Sequence, residues 1–149
     1  MNQAATPTEA EALAQSATGR ADRSVYEPDQ PGLVFPTRPS FSSAEQERAY
    51  RQQHLVAACR AFALHGLDYG FAGHLTVRDP EQPELYWTNP MAVHFGRVRV
   101  SNLILVDHQG TVVQGRHAVN RAGFVLHAAV HHMHPDIVAM CHAHTVYGT

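Results

Sequence analysis

The spacing of apolar residues changes along the chain and divides it into helical and extended segments. Leu55, Cys59 and Phe62 recur at helical intervals, which predicts a helix with one buried stripe. Ser42, followed three residues later by an acid, has the pattern of a capping box at the start of this helix. Gly66 follows the last apolar position and suits a left-handed C-cap, so the helix is predicted to end there.

Beyond this helix the pattern alternates with a period of two, as in strands. The segment "GFAGHLTVRDP" predicts a strand with Leu75 and Val77 facing inward and Thr76 and Arg78 facing outward. "ELYWTNP" predicts a second strand, stopped by proline. "NLILVDHQGTVVQG" reads as a hairpin, in which Asp107 is most simply the acid of the turn.

A second helix and a final strand complete the predicted order. Asn120 is a suitable N-cap for a helix that must end before Pro135, and its apolar positions are Phe124, Leu126, Ala128 and Ala129. The following "DIVAMCHAH" contains a short continuous apolar run, which is typical of a strand buried on both faces. We therefore predict a mixed sheet covered by helices.

Two histidines stand at the C-terminal end of that last run. In an extended strand, His142 and His144 point to the same side, which is how two ligands of one metal ion are often presented. Cys141, which precedes them, faces away and is interpreted as a buried structural thiol. The histidines of the preceding helix are interpreted as surface or satisfied core residues rather than ligands: His127, His131, His132 and His134.

Composition narrows the class of protein. The chain has 149 residues, 44% of them hydrophobic, which favours one globular domain. The 11 basic and 13 acidic residues form no run of like charge, so neither nucleic acid nor a membrane surface is expected as a partner. Two cysteines without metal-finger spacing favour a reducing cytoplasm. Residues 1–40 lack periodicity and are predicted to be a flexible leader before a domain over residues 41–149.

Three segments together resemble a known family. "GFAGHLTVRDP", "LILVDHQGTVVQG" and "NRAGFVLHAAVHHMHPDIVAMCHAHT" are similar, in order and spacing, to the class II aldolase/adducin domain. The resemblance runs from Ser43 to Thr149, roughly the first two thirds of that domain. It implies an α/β fold of three layers (α/β/α) with a mixed central sheet, incomplete at the C-terminus. It also implies a homo-oligomer, a tetramer in relatives, with a divalent metal, often zinc, at a subunit boundary and a small-molecule substrate.

The resemblance assigns roles to individual positions and also shows departures. His142 and His144 match the first two of three metal-binding histidines, and the third belongs to a segment that this chain lacks. Gly123 stands where the aldolases and epimerases carry the acid that transfers a proton. The family's glycine and asparagine of the substrate pocket read Gly73 and His74. Arg121 replaces a phosphate-binding serine and could attract an anion or simply be solvated.

Two functions follow from the resemblance. The first is a metal-dependent aldolase, epimerase or dehydratase acting on a small, sugar-like hydroxy-carbonyl compound. Because Gly123 has no proton to give, a tyrosine, metal-bound water or His74 would carry the proton, and the fragment itself is expected to be inactive. The alternative is a non-catalytic, adducin-like domain for oligomerisation or protein contacts, which the "AGF" and "AGH" segments of the adducin-like branch favour.

Overall fold

The computed structural model describes Gly32, residues 39–70 and residues 72–148. The leader predicted over residues 1–40 lies almost entirely outside the described residues. A compact unit, Phe41–Thr149, contains the described helices and strands. In chain order they are α1 (Ala44–Leu64), β1 (His74–Arg78), β2 (Tyr86–Thr88), β3 (Ile104–Val106), β4 (Val112–Gln114), α2 (Arg121–Met133) and β5 (Ala139–His142). None of the described helices is long and apolar enough to cross a membrane.

The start of α1 lies one residue later than predicted. Ser43, not Ser42, is the N-cap, and its hydroxyl accepts a hydrogen bond from the backbone N–H of Gln46 at 3.1 Å. The side chain of Gln46 in turn accepts from the N–H of Ser42 at 2.8 Å. The two serines are adjacent and equally suited to capping, so the sequence pattern alone assigned the wrong one.

The end of α1 and the hairpin agree with the sequence pattern. Gly66 has a φ of +67° and donates to the carbonyl of Ala63, while Leu67 donates to Phe62 at 2.9 Å, which is a Schellman motif. In the β3–β4 turn, a carboxylate oxygen of Asp107 accepts from two backbone N–H groups, at 2.8 and 2.9 Å. Asp107 is therefore confirmed as the turn acid.

The five strands form one sheet in the order β4-β3-β2-β1-β5. All four pairings are antiparallel, and the register places His74 opposite His142 and Thr76 opposite Thr88. The one parallel element among the described residues is an isolated bridge between Asp68 and His144. The α/β fold class is confirmed, and the mixed character of the described sheet is limited to this bridge.

The sheet is covered by one helix on each face, as expected for three layers. On the α1 side, the core contains Leu55, Val56, Cys59, Leu75, Val77, Trp87 and Leu105. On the α2 side, it contains Tyr86, Ile104, Val106, Phe124 and Ala128. Successive side chains of β2 and β3 alternate between these two cores.

Three predictions of exposure were wrong, one on the sheet and two on α2. Thr76, expected to face outward, is 1% exposed and lies against α2. Leu126, expected in the core, is 57% exposed, and Ala129 is exposed as well. The buried face of α2 instead carries His127 and His131 beside Phe124 and Ala128. Two histidines thus occupy buried positions on a helix face where apolar side chains were predicted.

The last strand also differs from its prediction. Among the described strands β5 pairs with β1 alone, so it is an edge strand of this sheet. Ala139 is exposed and Met140 is half-buried, which contradicts burial on both faces. Cys141 is exposed rather than a buried structural thiol. The continuous apolar run therefore indicated a strand correctly but not its burial.

A buried carboxylate joins β1 to its surroundings. Asp79, 1% exposed, accepts from the guanidinium of Arg48 on α1 at 2.6 Å and from the indole of Trp87 at 2.8 Å. Burial alone raises the pKa of Asp79, but these hydrogen bonds outweigh it and hold the pKa well below its usual range. The charged group fixes the C-terminal end of β1, the strand that carries His74 and Thr76.

Candidate functional site

Three imidazoles line one pocket at the end of the sheet. His74 at the start of β1 and His142 and His144 at the end of β5 form one wall of a cavity of about 320 Å³. The first turns of α2 form the opposite wall, with Asn120, Ala122, Gly123 and Leu126. The described residues that line this cavity include no Lys, Arg, Asp or Glu. Its polar groups are therefore imidazoles and the Asn120 amide.

His142 and His144 lie side by side, because the chain is extended between them. Their ring centroids are 4.7 Å apart, and both side chains are half-buried. The Nδ1 atom of His142 is buried and has no hydrogen-bond partner. The two rings have the arrangement expected of neighbouring ligands; their metal-binding role stays a prediction.

His74 is placed beside this pair by the strand register. It lies opposite His142 in the β1–β5 ladder, it is fully buried, and neither of its ring nitrogens has a hydrogen-bond partner. Burial, and then the neighbouring His142, lowers the pKa of His74 to about 4. At neutral pH the ring is therefore uncharged and offers one N–H donor and one lone pair.

Gly123 lies directly under the His74 ring. A Cβ atom at position 123 would be 3.1 Å from His74 Nδ1, closer than side chains normally pack. The ring thus occupies space next to the helix that a side chain at 123 would need. Positions 74 and 123, which are distant in sequence, are therefore in contact in the structure, and a side chain at 123 would require the His74 ring to shift.

Behind the pocket, two further histidines form a buried group with Thr76. The Thr76 hydroxyl lies 2.8 Å from His127 Nδ1 and 2.9 Å from His131 Nε2. The His127 ring centroid is 5.0 Å from that of His74 and 6.2 Å from that of His142. Burial, followed by the neighbouring histidines, lowers the pKa of His127 to about 3, and its Nε2 has no partner.

For His127 and His131, the structure supports the satisfied-core interpretation over the surface one, because both rings are buried and in hydrogen-bond contact with Thr76. The prediction that Thr76 faces outward was wrong, so the group itself was not foreseen. The spacing of the two histidines carried a sign of burial, because positions four apart share a helix face and Phe124 and Ala128 lie on the same face. The sequence did not show that Thr76 is the hydrogen-bond partner of both rings, because Thr76 belongs to a distant strand.

The other two predicted substrate-binding residues lie in different surroundings. Gly73 lines the pocket with a φ of +109°, and a Cβ there would be 2.8 Å from the Phe95 ring. Only glycine fits this position. Arg121 is exposed at the first position of α2 and is not among the residues that line the pocket. The structure gives no support for an anion held by Arg121 within this cavity.

The side chains at this site provide only some of the ligands that a metal ion needs. His142 and His144 provide adjacent nitrogen donors, and the unpartnered Nδ1 of His142 is consistent with a ligand whose outer hydrogen bond is still to be made. However, no three His, Cys, Asp or Glu side chains in the described part of the chain are arranged to hold a metal ion. Zinc normally takes at least three protein ligands, so these residues would supply two of a larger set.

Comparison with known proteins identifies the family. The family model described as "Class II Aldolase and Adducin N-terminal domain" matches residues 53–149. The chain belongs to this family, as its motifs indicated. The fold is shared with a solved structure, L-fuculose 1-phosphate aldolase from Glaciozyma antarctica PI12, with a TM-score of 0.73 and 47% sequence identity. The match covers 75% of this chain and 47% of that one.

Two curated relatives show how varied the family's activities are. The 4-hydroxy-3-prenylphenylpyruvate oxygenase/4-hydroxy-3-prenylbenzoate synthase of Streptomyces roseochromogenus subsp. oscitans is 43% identical, over 74% of this chain and 40% of its own length. Decarboxylase NovR of Streptomyces niveus is 41% identical, over 76% of this chain and 43% of its own length. The chain thus spans less than half of the length of these relatives.

The contact between His74 and Gly123 predicts a non-additive pair of substitutions. In a helix, Gly→Ala normally stabilises by about 0.5 to 1 kcal/mol. At position 123 the new methyl group would press on the His74 ring, so we expect Gly123→Ala to lose that gain in the wild-type background and to regain it when His74→Ala is present. Urea unfolding of the four proteins gives the coupling, expected at about 0.5 kcal/mol or more. Additive free energies of unfolding would contradict the contact.

The lowered pKa values of His74 and His127 predict a dependence of stability on pH. An imidazole of the unfolded chain has a pKa of about 6.5. Between about pH 6.5 and 4 the unfolded state therefore binds more protons than the folded state. The free energy of unfolding should fall as the pH falls, by about 1.4 kcal/mol per pH unit for each such imidazole.

This dependence is measured by urea unfolding at a series of pH values with EDTA present. The His127→Gln variant should show a shallower slope, and the exposed His132→Gln variant should keep the wild-type slope. The same slope in His127→Gln and wild type would show that His127 is not held neutral by the fold.

Proposed function

We propose that this chain is part of a metal-dependent class II aldolase-type enzyme that acts on a small hydroxy-carbonyl compound. The observation that carries the proposal is the convergence of the His142, His144 and His74 rings on one pocket. A purely structural strand end has little use for adjacent imidazoles with unpaired buried nitrogens, because such atoms cost free energy unless a ligand engages them.

In this proposal His142 and His144 hold a divalent cation, for example zinc, for which imidazole nitrogens are suitable donors, together with ligands from outside the described residues. When bound, such a cation polarises a carbonyl oxygen as a Lewis acid. The role of the chain's own residues is to place the two imidazoles on one side of β5 and to keep the pocket wall free of competing charges.

His74 has the properties of a substrate-binding group. Its neutral ring can donate to a carbonyl oxygen or accept from a hydroxyl, and both are features of a hydroxy-carbonyl compound. Gly123 gives this ring its space, and Gly73 permits close packing of the backbone against Phe95. Since Gly123 has no ionisable side chain, proton transfer at this site would differ from that implied by the family's acid.

A non-catalytic role in oligomerisation or protein contacts is the second candidate. It is favoured by three exposed apolar side chains on α2, namely Val125, Leu126 and Met133, which are 63%, 57% and 72% exposed. Several large apolar side chains exposed on one helix are a feature of surfaces that pack against another protein. Gly123 also favours this candidate, because a domain without catalysis has no need of an acid there.

Zinc binding separates the two candidates. Because the described residues supply only two ligands, we expect the chain to bind zinc weakly, with a stoichiometry of about one, and the His142→Ala/His144→Ala variant to bind at least about ten times more weakly still because it lacks both donors. The matched control is His132→Ala/His134→Ala, which removes two exposed imidazoles from the same region. Metal content after dialysis and calorimetric titration provide the measurement. Equal zinc content in the wild type and the first variant would remove the metal site and favour the second candidate.

A further inference from the structure

The Thr76 hydroxyl has a single proton, and this sets a rule for the protonation of the two histidines in contact with it. Its oxygen is within hydrogen-bond distance of His127 Nδ1, at 2.8 Å, and of His131 Nε2, at 2.9 Å. A hydroxyl has one proton and can donate to only one neutral ring; if this buried proton is not to be left without an acceptor, Thr76 donates to one ring and accepts an N–H from the other. Two arrangements satisfy this rule. Either both rings carry their proton on Nδ1, or both carry it on Nε2.

The other side of His131 selects between them. His131 Nδ1 is 3.3 Å from the carbonyl oxygen of Ile137, which can only accept, and 3.4 Å from Nη2 of Arg78, which can only donate. Nε of the guanidinium donates to the Ile137 carbonyl, and Nη2 donates to the backbone oxygen of His131 at 2.8 Å, so the 3.4 Å contact between Nη2 and His131 Nδ1 is the longer and weaker of the two contacts of Nη2. The carbonyl has a second lone pair available for an N–H. The geometry therefore favours a proton on His131 Nδ1.

The tautomer of His131 determines the tautomer of His127, because both rings share the Thr76 hydroxyl. With His131 protonated on Nδ1, Thr76 donates to His131 Nε2 and accepts from His127 Nδ1. The Nε2 atom of His127 then carries a lone pair. That atom is fully buried and has no partner in this structure. The His127 ring lies beside those of His74 and His142, with ring centroids 5.0 and 6.2 Å away.

We propose that Thr76 and His131 fix the tautomer of His127, and that His127 is a positioning residue whose Nε2 lone pair accepts the Nδ1–H of His142. His142 Nδ1 is the buried, unpartnered nitrogen of that ring. Holding its proton on this side leaves the lone pair of Nε2 for a cation in the pocket. An imidazole that binds a metal commonly donates its other N–H to such an acceptor.

The two parts of this proposal have different foundations. The shared tautomer of His127 and His131 follows from the contacts of Thr76 and is independent of any ligand. The role of His127 toward His142 rests on the proposed metal function, because the ring centroids are 6.2 Å apart and no hydrogen bond joins the two rings in this structure. The ring tautomers and the zinc affinity are therefore measured separately.

The tautomers are read directly by nuclear magnetic resonance. Long-range ¹H–¹⁵N spectra of the isotopically labelled chain at pH 7.5 with EDTA, assigned by through-bond correlations from each ring to its own backbone, should show both rings protonated on Nδ1. A proton on Nε2 of either ring would overturn the proposal. Because this measurement uses the wild-type chain, it decides the question even if a variant fails to fold.

Substitutions of Thr76 test the coupling. Thr76→Val keeps the shape but removes the hydroxyl, so at least one ring should change its tautomer signature, whereas Thr76→Ser should keep the wild-type spectrum. The matched control is Thr88→Val, which removes another fully buried hydroxyl of the same sheet, one that donates to the carbonyl of Leu75. Identical ring spectra in Thr76→Val and the wild type would overturn the coupling.

Zinc affinity tests the functional part. Loss of an outer hydrogen-bond partner typically weakens metal binding by about 10- to 100-fold, so Thr76→Val should bind zinc more weakly by roughly that factor. Thr76→Ser and Thr88→Val should bind as the wild type does. Equal affinity in Thr76→Val and Thr88→Val would overturn the positioning role. A wild-type chain that binds no zinc would contradict the proposed function and this role with it, and would leave the tautomer result unchanged.

Discussion

A layer of imidazole rings between the sheet and α2 is the feature on which the rest of this structure depends. His74, His127 and His131 are at most 1% exposed, and two of them have ring nitrogens without a hydrogen-bond partner. Burying polar groups in this way is unfavourable unless they are paired or serve a ligand. The layer is held by Thr76, which engages two rings, and by Gly123, which leaves room for the third. The pocket forms where this layer meets the edge strand.

The order of the elements and the three-layer fold were predictable, because both depend on local periodicity and turn residues. Gly66, Asp107 and Asn120 each determined a helix end or turn through their own backbone or side chain. Exposure was less predictable. Thr76 and Cys141 were assigned to the wrong environment, since burial depends on which face a distant helix covers and on which strand lies at the sheet edge. No local pattern contains that information.

The site shows the same division. The alternation of side chains along a strand was sufficient to place His142 and His144 together. The neighbours that give the pocket its chemistry were not predictable, because His74 reaches His142 through strand pairing and Gly123 through packing against a different layer. His74 and Gly123 are far apart in sequence but pack directly against each other, and the neutral imidazole of His74 lies in the space beside the glycine.

The central claim is that His142 and His144 bind a cation from the same side of β5. Zinc K-edge X-ray absorption of the chain, loaded with one equivalent of zinc, measures this most directly, because imidazole rings add a characteristic scattering from their outer atoms. The account predicts a coordination shell of nitrogen and oxygen donors with two imidazoles, both lost in His142→Ala/His144→Ala. A spectrum without imidazole scattering, or one unchanged in that variant, would contradict it.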